Sequence, residues 1–325
     1  MVLIKSQRDT LLAPLQSVSG IVERRHTLPI LSNVLLEKKG DQLTLLATDI
    51  EIQITTTASG AGGEGDGAVT VGARKLQDIL RSLPEATEVS LVLEDKRLQV
   101  RAGKSRFSLQ TLPAADFPRM TLAEAETRQF SMSQKAFRQL LGKTQYAMAA
   151  QDVRYYLNGL LLQVDGKELR AVATDGHRLA FASVGIEADM PRQEMILPRK
   201  TVLELNRLLV DTDDALNITL SPNQVRFAFG SVVLVSKLID GKFPDYERVI
   251  PQGWIHNLEH GGIVIQYNES LSTDEVAQLE DQRVVVDERA VALLRGADAH
   301  RELAEPRDVG RPEEAFLALE RIRLV

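Results

Sequence analysis

Three short markers recur along this chain in one order and at one spacing. Ala47-Thr48-Asp49 answers to Ala173-Thr174-Asp175, 126 residues on. The run ARKLQDILRSLP from Ala73 answers to PRKTVLELNRLL from Pro198, 125 residues on, and Phe117-Pro118 answers to Phe243-Pro244, again at 126. A duplicated segment carries a duplicated set of apolar faces and turns, so it must fold as two copies of one supersecondary unit. The spacing divides the chain into module I over 1–126, module II over 127–252 and an atypical C-terminal region over 253–325. A length of 325 residues suits two or three domains of ordinary size.

Within each copy, helical and strand patterns alternate. Four segments have apolar residues spaced three and four apart, the signature of amphipathic helices. They present Leu11, Leu15, Val18 and Val22; Leu76, Ile79, Leu80 and Leu83; Phe137, Leu140 and Leu141; and Val202, Leu205, Leu208 and Leu209. Ser6 and Asp9 are spaced like a capping box for the first helix, and Pro14 is expected to kink it. The segments around 50–57, 88–95, 97–102, 105–112, 216–220, 224–230 and 232–239 alternate apolar and polar residues and read as strands. Runs of strands between single helices predict an α+β protein with antiparallel sheets.

The charge is unevenly distributed. Residues 5–25, 73–83, 133–146 and 198–209 together carry +9, which leaves −15 for the rest of a chain whose net charge is −6. Surface helices often carry Lys and Arg, but four helices leaning the same way against an acidic background predict a basic helical inner face with acidic sheets outside. Such a surface suits a polyanion held by diffuse charge. With no cysteine in the chain, disulfides, thiolate metal sites and cysteine nucleophiles are excluded together. Neither a signal-like h-region nor an apolar run of membrane-spanning length occurs, so a cytoplasmic protein is expected.

Three motifs suggest other chemistry. Residues 60–65, GAGGEG, satisfy G-x-G-x-x-G, but a strand pattern and no helix follows, so a flexible hairpin loop is expected and not a phosphate cradle. Residues 102–105, AGKS, lack the first glycine of a phosphate loop. His256, Glu259 and His260 have the spacing of a zinc peptidase site and leave a metal-dependent hydrolase as the alternative reading. That chemistry needs both histidines on one helix face, whereas Gly261-Gly262 and a strand-like IVIQY follow at once.

The segments HTLPILSNVLL (26–36), SRFSLQTLPAADFP (105–118), QDVRYYLNG (151–159), ATDGHRLA (173–180) and DGKFPDY (240–246) resemble the first two modules of the bacterial DNA polymerase III β sliding clamp family. The resemblance covers residues 1–252. It implies tandem clamp modules, helices lining the basic inner face and antiparallel sheets outside, in a homodimeric ring of three modules per subunit. Such a ring encircles double-stranded DNA without reading its sequence. The implied partners are the DNA polymerase III catalytic subunit, the clamp loader, and other polymerases and repair proteins bearing clamp-binding peptides. No catalysis, cofactor, metal or membrane is implied.

Carried over by motif, the resemblance places Arg25, Gln151, Tyr155 and Tyr156 facing DNA. For the tyrosines, core packing is the competing reading. It assigns a partner-peptide pocket to Arg154, Leu157, Thr174, Gly176, His177, Arg178, Leu179, Pro244, Arg248 and Val249, although Gly176 and His177 also read simply as a turn. A ring interface falls on Lys75, Arg97, Lys104, Arg106, Phe107 and Leu109, cations around an apolar pair. The departure comes after Gln252, where 73 residues stand in place of a third module. Around residues 253–283 the chain is similar to an uncharacterised family with a His-Asn-Leu-Glu-His-Gly-Gly core. A natural fusion, a frameshifted or chimeric gene and an assembly artefact are all compatible with that junction.

Overall fold

The computed structural model describes residues 1–23, 28–121 and 127–248, together with the backbone of 263–267 and 291–295. The repeat reappears as geometry. In the first copy, β1 (Val2–Gln7) leads into α1 (Arg8–Ser19), then β2 (Asn33–Lys39), β3 (Gln42–Thr48), β4 (Ile52–Ala58), β5 (Gly67–Gly72) and α2 (Ala73–Ser82). Strands β6 (Glu88–Glu94), β7 (Arg97–Ala102) and β8 (Ser105–Leu112) complete it. In the second copy, β9 (Arg128–Ser133) and α3 (Gln134–Thr144) precede two long strands, β10 (Gly159–Thr174) and β11 (Arg178–Pro198). They are followed by α4 (Arg199–Leu208), β12 (Ala215–Leu220), β13 (Gln224–Phe229) and β14 (Val232–Lys237).

Register repeats with the sequence. Asn33 pairs with Gly72 where β2 meets β5, and Thr48 with Gln53 where β3 meets β4. Their counterparts 126 positions later, Gly159 with Pro198 and Thr174 with Leu179, are the two ends of the β10–β11 hairpin. The apolar spacing of the helices has become burial. Leu11, Leu15, Val18 and Val22 lie inside, as do Leu76, Leu80, Phe137, Leu140, Leu141, Val202 and Leu205. Helix α1 packs on α2 and β4, and α3 packs on α4 and β11. Fully burying each such side chain is worth about 1.5–3 kcal/mol.

The described residues gather into two compact units, Met1–Ser131 with Asp214–Lys237, and Met132–Asp213 with those from Leu238 onward. The segment 214–237 joins the first unit because β14 adds antiparallel to β4, pairing Ser236 with Ile52 and Val232 with Thr56. Among the described residues this gives a twelve-stranded sheet ordered β1-β6-β7-β8-β5-β2-β3-β4-β14-β13-β12-β9. The second unit holds β10 and β11 with β15 (Ile263–Tyr267) and β16 (Val291–Arg295), in the order β10-β11-β15-β16.

Two local expectations change. Ser6 does not cap α1. It lies in β1 and its Oγ donates to the Gly60 carbonyl at 3.1 Å, while Asp9 pairs with Arg8, so the box is dismantled by tertiary partners. The helix cap that does form is on α3, where Ser133 Oγ accepts from the Ala136 amide at 3.2 Å. Helix α1 continues through Pro14 as one element. The glycine-rich segment at 60–65 is not a free loop: it lies against β1, with the Lys5 amide donating to Gly62 O at 2.7 Å and the Glu64 amide to Val2 O at 2.9 Å. Gly63 approaches so closely, at φ +147, that a Cβ there would stand 2.3 Å from Leu3 O.

Candidate functional site

The Ala-Thr-Asp marker is a turn, built the same way twice. In the first copy Thr48 Oγ1 donates to Ile52 O at 2.9 Å and accepts from the Ile50 amide at 3.0 Å, while Asp49 Oδ1 accepts from the Glu51 and Ile52 amides. In the second copy Thr174 Oγ1 donates to Arg178 O at 2.7 Å and accepts from the Gly176 amide at 3.1 Å. Asp175 Oδ1 accepts from the His177 and Arg178 amides. The short polar side chains mimic backbone groups and close the hairpin, which is why these residue types recur at this spacing. The turn reading of Gly176 and His177 is therefore correct for their backbone.

What differs between the copies is what surrounds the turn. The residue after the aspartate has positive φ in both, +80 at Ile50 and +93 at Gly176, a conformation costly for a side chain that Ile50 nonetheless adopts. At Gly176 an added Cβ would meet the Arg154 Nη1 and Nη2 atoms at 3.0 Å, because the guanidinium crosses there to donate to Asp175 O at 3.1 Å. Arg154 also grips Asp152, with Nη2 2.8 Å from Oδ2 and Nε 3.1 Å from Oδ1. These bonds, led by the guanidinium and followed by the Arg154 amide, hold the half-buried Asp152 carboxyl at about 2, below its ordinary 3.8. Asn158 ties the loop off, accepting from the Asp152 amide and donating to its carbonyl, both at 2.8 Å.

The loop so fixed presents Gln151, at φ +63, with Val153 and Tyr155 to solvent. Tyr155 is 58% exposed, so core packing does not account for it. Tyr156 stands edge-on to Tyr155 at 5.8 Å and packs against a buried cluster of Leu161, Val172, Leu179, Phe181, Ile196, Phe243 and Tyr246. Of the two tyrosines, one is thus surface and the other partly core.

The residues expected to form the peptide pocket divide in the same way. Leu157, Thr174 and Leu179 are buried. Arg178 is a rim residue held from three sides: Nε to Asp175 Oδ2 at 3.1 Å, Nη2 to Tyr146 O at 2.8 Å, and its guanidinium 5.6 Å from the Tyr146 ring centre. Burial pushes the Tyr146 phenol up, and Arg178 only partly opposes it. Pro244 and Arg248 are exposed on either side of Tyr246, and Arg248 Nε pairs with Asp245 at 2.7 Å. His177 points outward. The apolar cluster, the Arg178 guanidinium and the exposed turn thus lie side by side in this unit.

Motif reading overlooked Tyr146, Asp152, Gln163 and Tyr246. The Tyr246 hydroxyl donates to the fully buried Gln163 Oε1 at 2.7 Å and its ring lies 5.7 Å from Phe181. Around it Arg170 pairs with Glu168 at 2.6 Å, and Arg192 with Glu194 at 2.9 Å and Glu247 at 3.5 Å. Burial raises the Tyr246 pKa, with Arg170 opposing. Gln163, the one polar side chain within the run Leu160–Val164, was the available signal, since buried amides need partners.

The proposed interface residues lie in the first unit. Phe107 pairs with Val100 and Leu109 with Leu98, one face of β8, where Leu109 is buried and Phe107 half-buried. Lys75, Arg97, Lys104 and Arg106 are exposed. Strand β8 meets β5 only at Leu112 and Thr111, so among the described residues its outer side over 105–110 has no strand partner.

Arg25 and Val249 lie outside the described residues, as do His256, Glu259 and His260. Among the described residues no three His, Asp or Glu side chains converge as metal ligands, and no helix is long and apolar enough to cross a membrane.

Residues 2–121 match the family model for the DNA polymerase III beta subunit N-terminal domain, and 131–245 that for its central domain. Residues 242–300 match a family described as a protein of unknown function, DUF3105. The beta sliding clamp of Pseudomonas aeruginosa is 50% identical over 251 residues, covering 76% of this chain and 67% of that protein. That of Escherichia coli K12 is 47% identical over 255 residues, covering 78% and 69%. A crystal structure of the P. aeruginosa sliding clamp bound to griselimycin superposes with a TM-score of 0.73 at 48% identity, over 77% of this chain and 68% of that one. The Caulobacter crescentus polymerase III beta structure gives 0.72 at 41%, over 77% and 69%. The hydrolase alternative finds no support in these matches: the clamp family over 2–245 is one of non-catalytic subunits, and the family matched over 242–300 has no described function. With both clamp domains matched in order and about half of the aligned residues identical, the chain belongs to the DNA polymerase III beta subunit, or beta sliding clamp, family.

Proposed function

We propose that this chain is a DNA sliding clamp, a processivity factor that encircles duplex DNA and tethers polymerases to it. The observation that carries the reading is the end-to-end match to the N-terminal and central clamp domains, with twofold repetition of one hairpin register behind it. On this reading residues 1–126 and 127–252 are clamp modules I and II, and 253–325 stands where a third would. Gln151 and Tyr155 on the fixed loop face DNA together with Tyr156 and Arg25. The surface from Arg154 and Leu157 through Thr174, Gly176, His177, Arg178 and Leu179 to Pro244, Arg248 and Val249 takes a short peptide from the polymerase III catalytic subunit, the clamp loader, or other polymerases and repair proteins. The unpartnered side of β8, flanked by Lys104 and Arg106, meets a second subunit.

A clamp must slide, so its phosphate contacts are diffuse and exchangeable, and retention comes from topology. The test is to load the protein on nicked circular DNA and then cut the circle. Release on linearisation is expected; retention that survives cutting overturns the ring. Binding to linear duplex should fall with salt at a slope of about −0.9 per phosphate neutralised. Light scattering decides the homodimer: a mass of one chain, 36.0 kDa, with no DNA retention would mean that this C-terminal region leaves the ring open.

A further inference from the structure

In the first copy β4 does not end its sheet: Ile52, Gln53, Ile54 and Thr55 pair antiparallel with Ser236, Val235, Leu234 and Val233 of β14. The positions 126 residues later, Arg178, Leu179, Ala180 and Phe181 at the start of β11, pair antiparallel with Tyr267, Gln266, Ile265 and Val264 of β15. One strand thus occupies the same edge, in the same direction, at corresponding residues of both copies. The occupants come from different sources. β14 belongs to the second clamp copy, whereas β15 lies within the 242–300 match to DUF3105.

We propose that Ile263–Tyr267 is an edge-closing strand, by which the C-terminal region takes on the second sheet the position that β14 takes on the first. Local sequence favours it. IVIQY is β-branched and aromatic, contains no Gly or Pro, and follows the punctuating pair Gly261-Gly262. The energetic reason is equally direct: an uncovered β11 edge would offer a row of free amides and carbonyls to any passing strand. Strand β15 is itself flanked on its far side by β16, which pairs with it in parallel from Ile263–Val291 to Tyr267–Arg295. The foreign segment therefore brings its own outer strand and moves the sheet edge away from the residues at Arg178 and Leu179. The inference rests on the repeat and the register and is independent of whether the ring closes on DNA.

The chain has no cysteine, so paired cysteines report without background. Two full-length variants are made, Ala180→Cys with Ile265→Cys and Phe181→Cys with Val264→Cys, and Ile54→Cys with Leu234→Cys serves as the reference on the first sheet. Adjacent antiparallel pairs alternate between wide and close spacing, so one of the first two brings its Cβ atoms within disulfide reach. Under mild oxidant, an intramolecular disulfide in at least one of them is expected, seen as a faster band on a non-reducing gel and as a linked peptide by mass. Two results overturn the proposal: no bond in either variant while the reference pair forms, or bonds only between copies, which would mean that the strand closes a neighbour's edge.

Discussion

The repeated turn is a natural control at the scale of single residues. Ile50 and Gly176 both have positive φ, so at Gly176 the left-handed backbone and the nearby Arg154 guanidinium together favour glycine. Gly176→Ala should lose about 1–2 kcal/mol, the usual penalty for a left-handed L-residue, and push Arg154 off the Asp175 carbonyl. Gly63→Ala should lose more, because its Cβ would strike the Leu3 carbonyl and not a movable side chain. Urea denaturation of both variants checks the order. Asp152 provides a pH readout of the same contact. Its folded pKa is depressed, so the pairing with Arg154 is complete above 3.8 and is lost as pH falls through about 2. An NMR titration of the Asp152 carboxyl should give a midpoint near 2, rising toward 3.8 in Arg154→Ala and in Gly176→Ala.

Among elements, those set by local pattern were legible in advance and those set by partners were not. The helices at Leu76, Leu80, Phe137 and Val202 follow from apolar spacing, and the strands at 97–102 and 105–112 from alternation, because each pattern is complete within its own segment. Ser6 misled because its hydroxyl finds Gly60, 54 positions away. The 60–65 loop misled because β1 seats it. At the candidate site, Arg178 and Leu179 were reachable by motif, whereas Asp152 and Gln163 act through partners no pattern encodes. Pro14 is a strain within one element: it removes an amide that would bond the Thr10 carbonyl. Pro14→Ala should raise stability by about 1–3 kcal/mol, visible as a higher denaturant midpoint.

At the scale of the molecule, sequence repeat and folding unit do not coincide. The copies meet near residue 126, yet β14 of the second completes the sheet of the first. A fragment of residues 1–126 should therefore leave β4 bare and self-associate, and a peptide of residues 214–237 added to it should reduce that association, as light scattering at equal concentration would show. That same pairing sets a schedule at the ribosome. Ala58 emerges long before Val232, and at ordinary synthesis rates roughly 10 to 35 s pass between them. Throughout that interval a nascent chain carries an unfinished sheet, so slow codons or a chaperone acting between positions 58 and 232 would bear on its yield far more than on the stability of the finished protein.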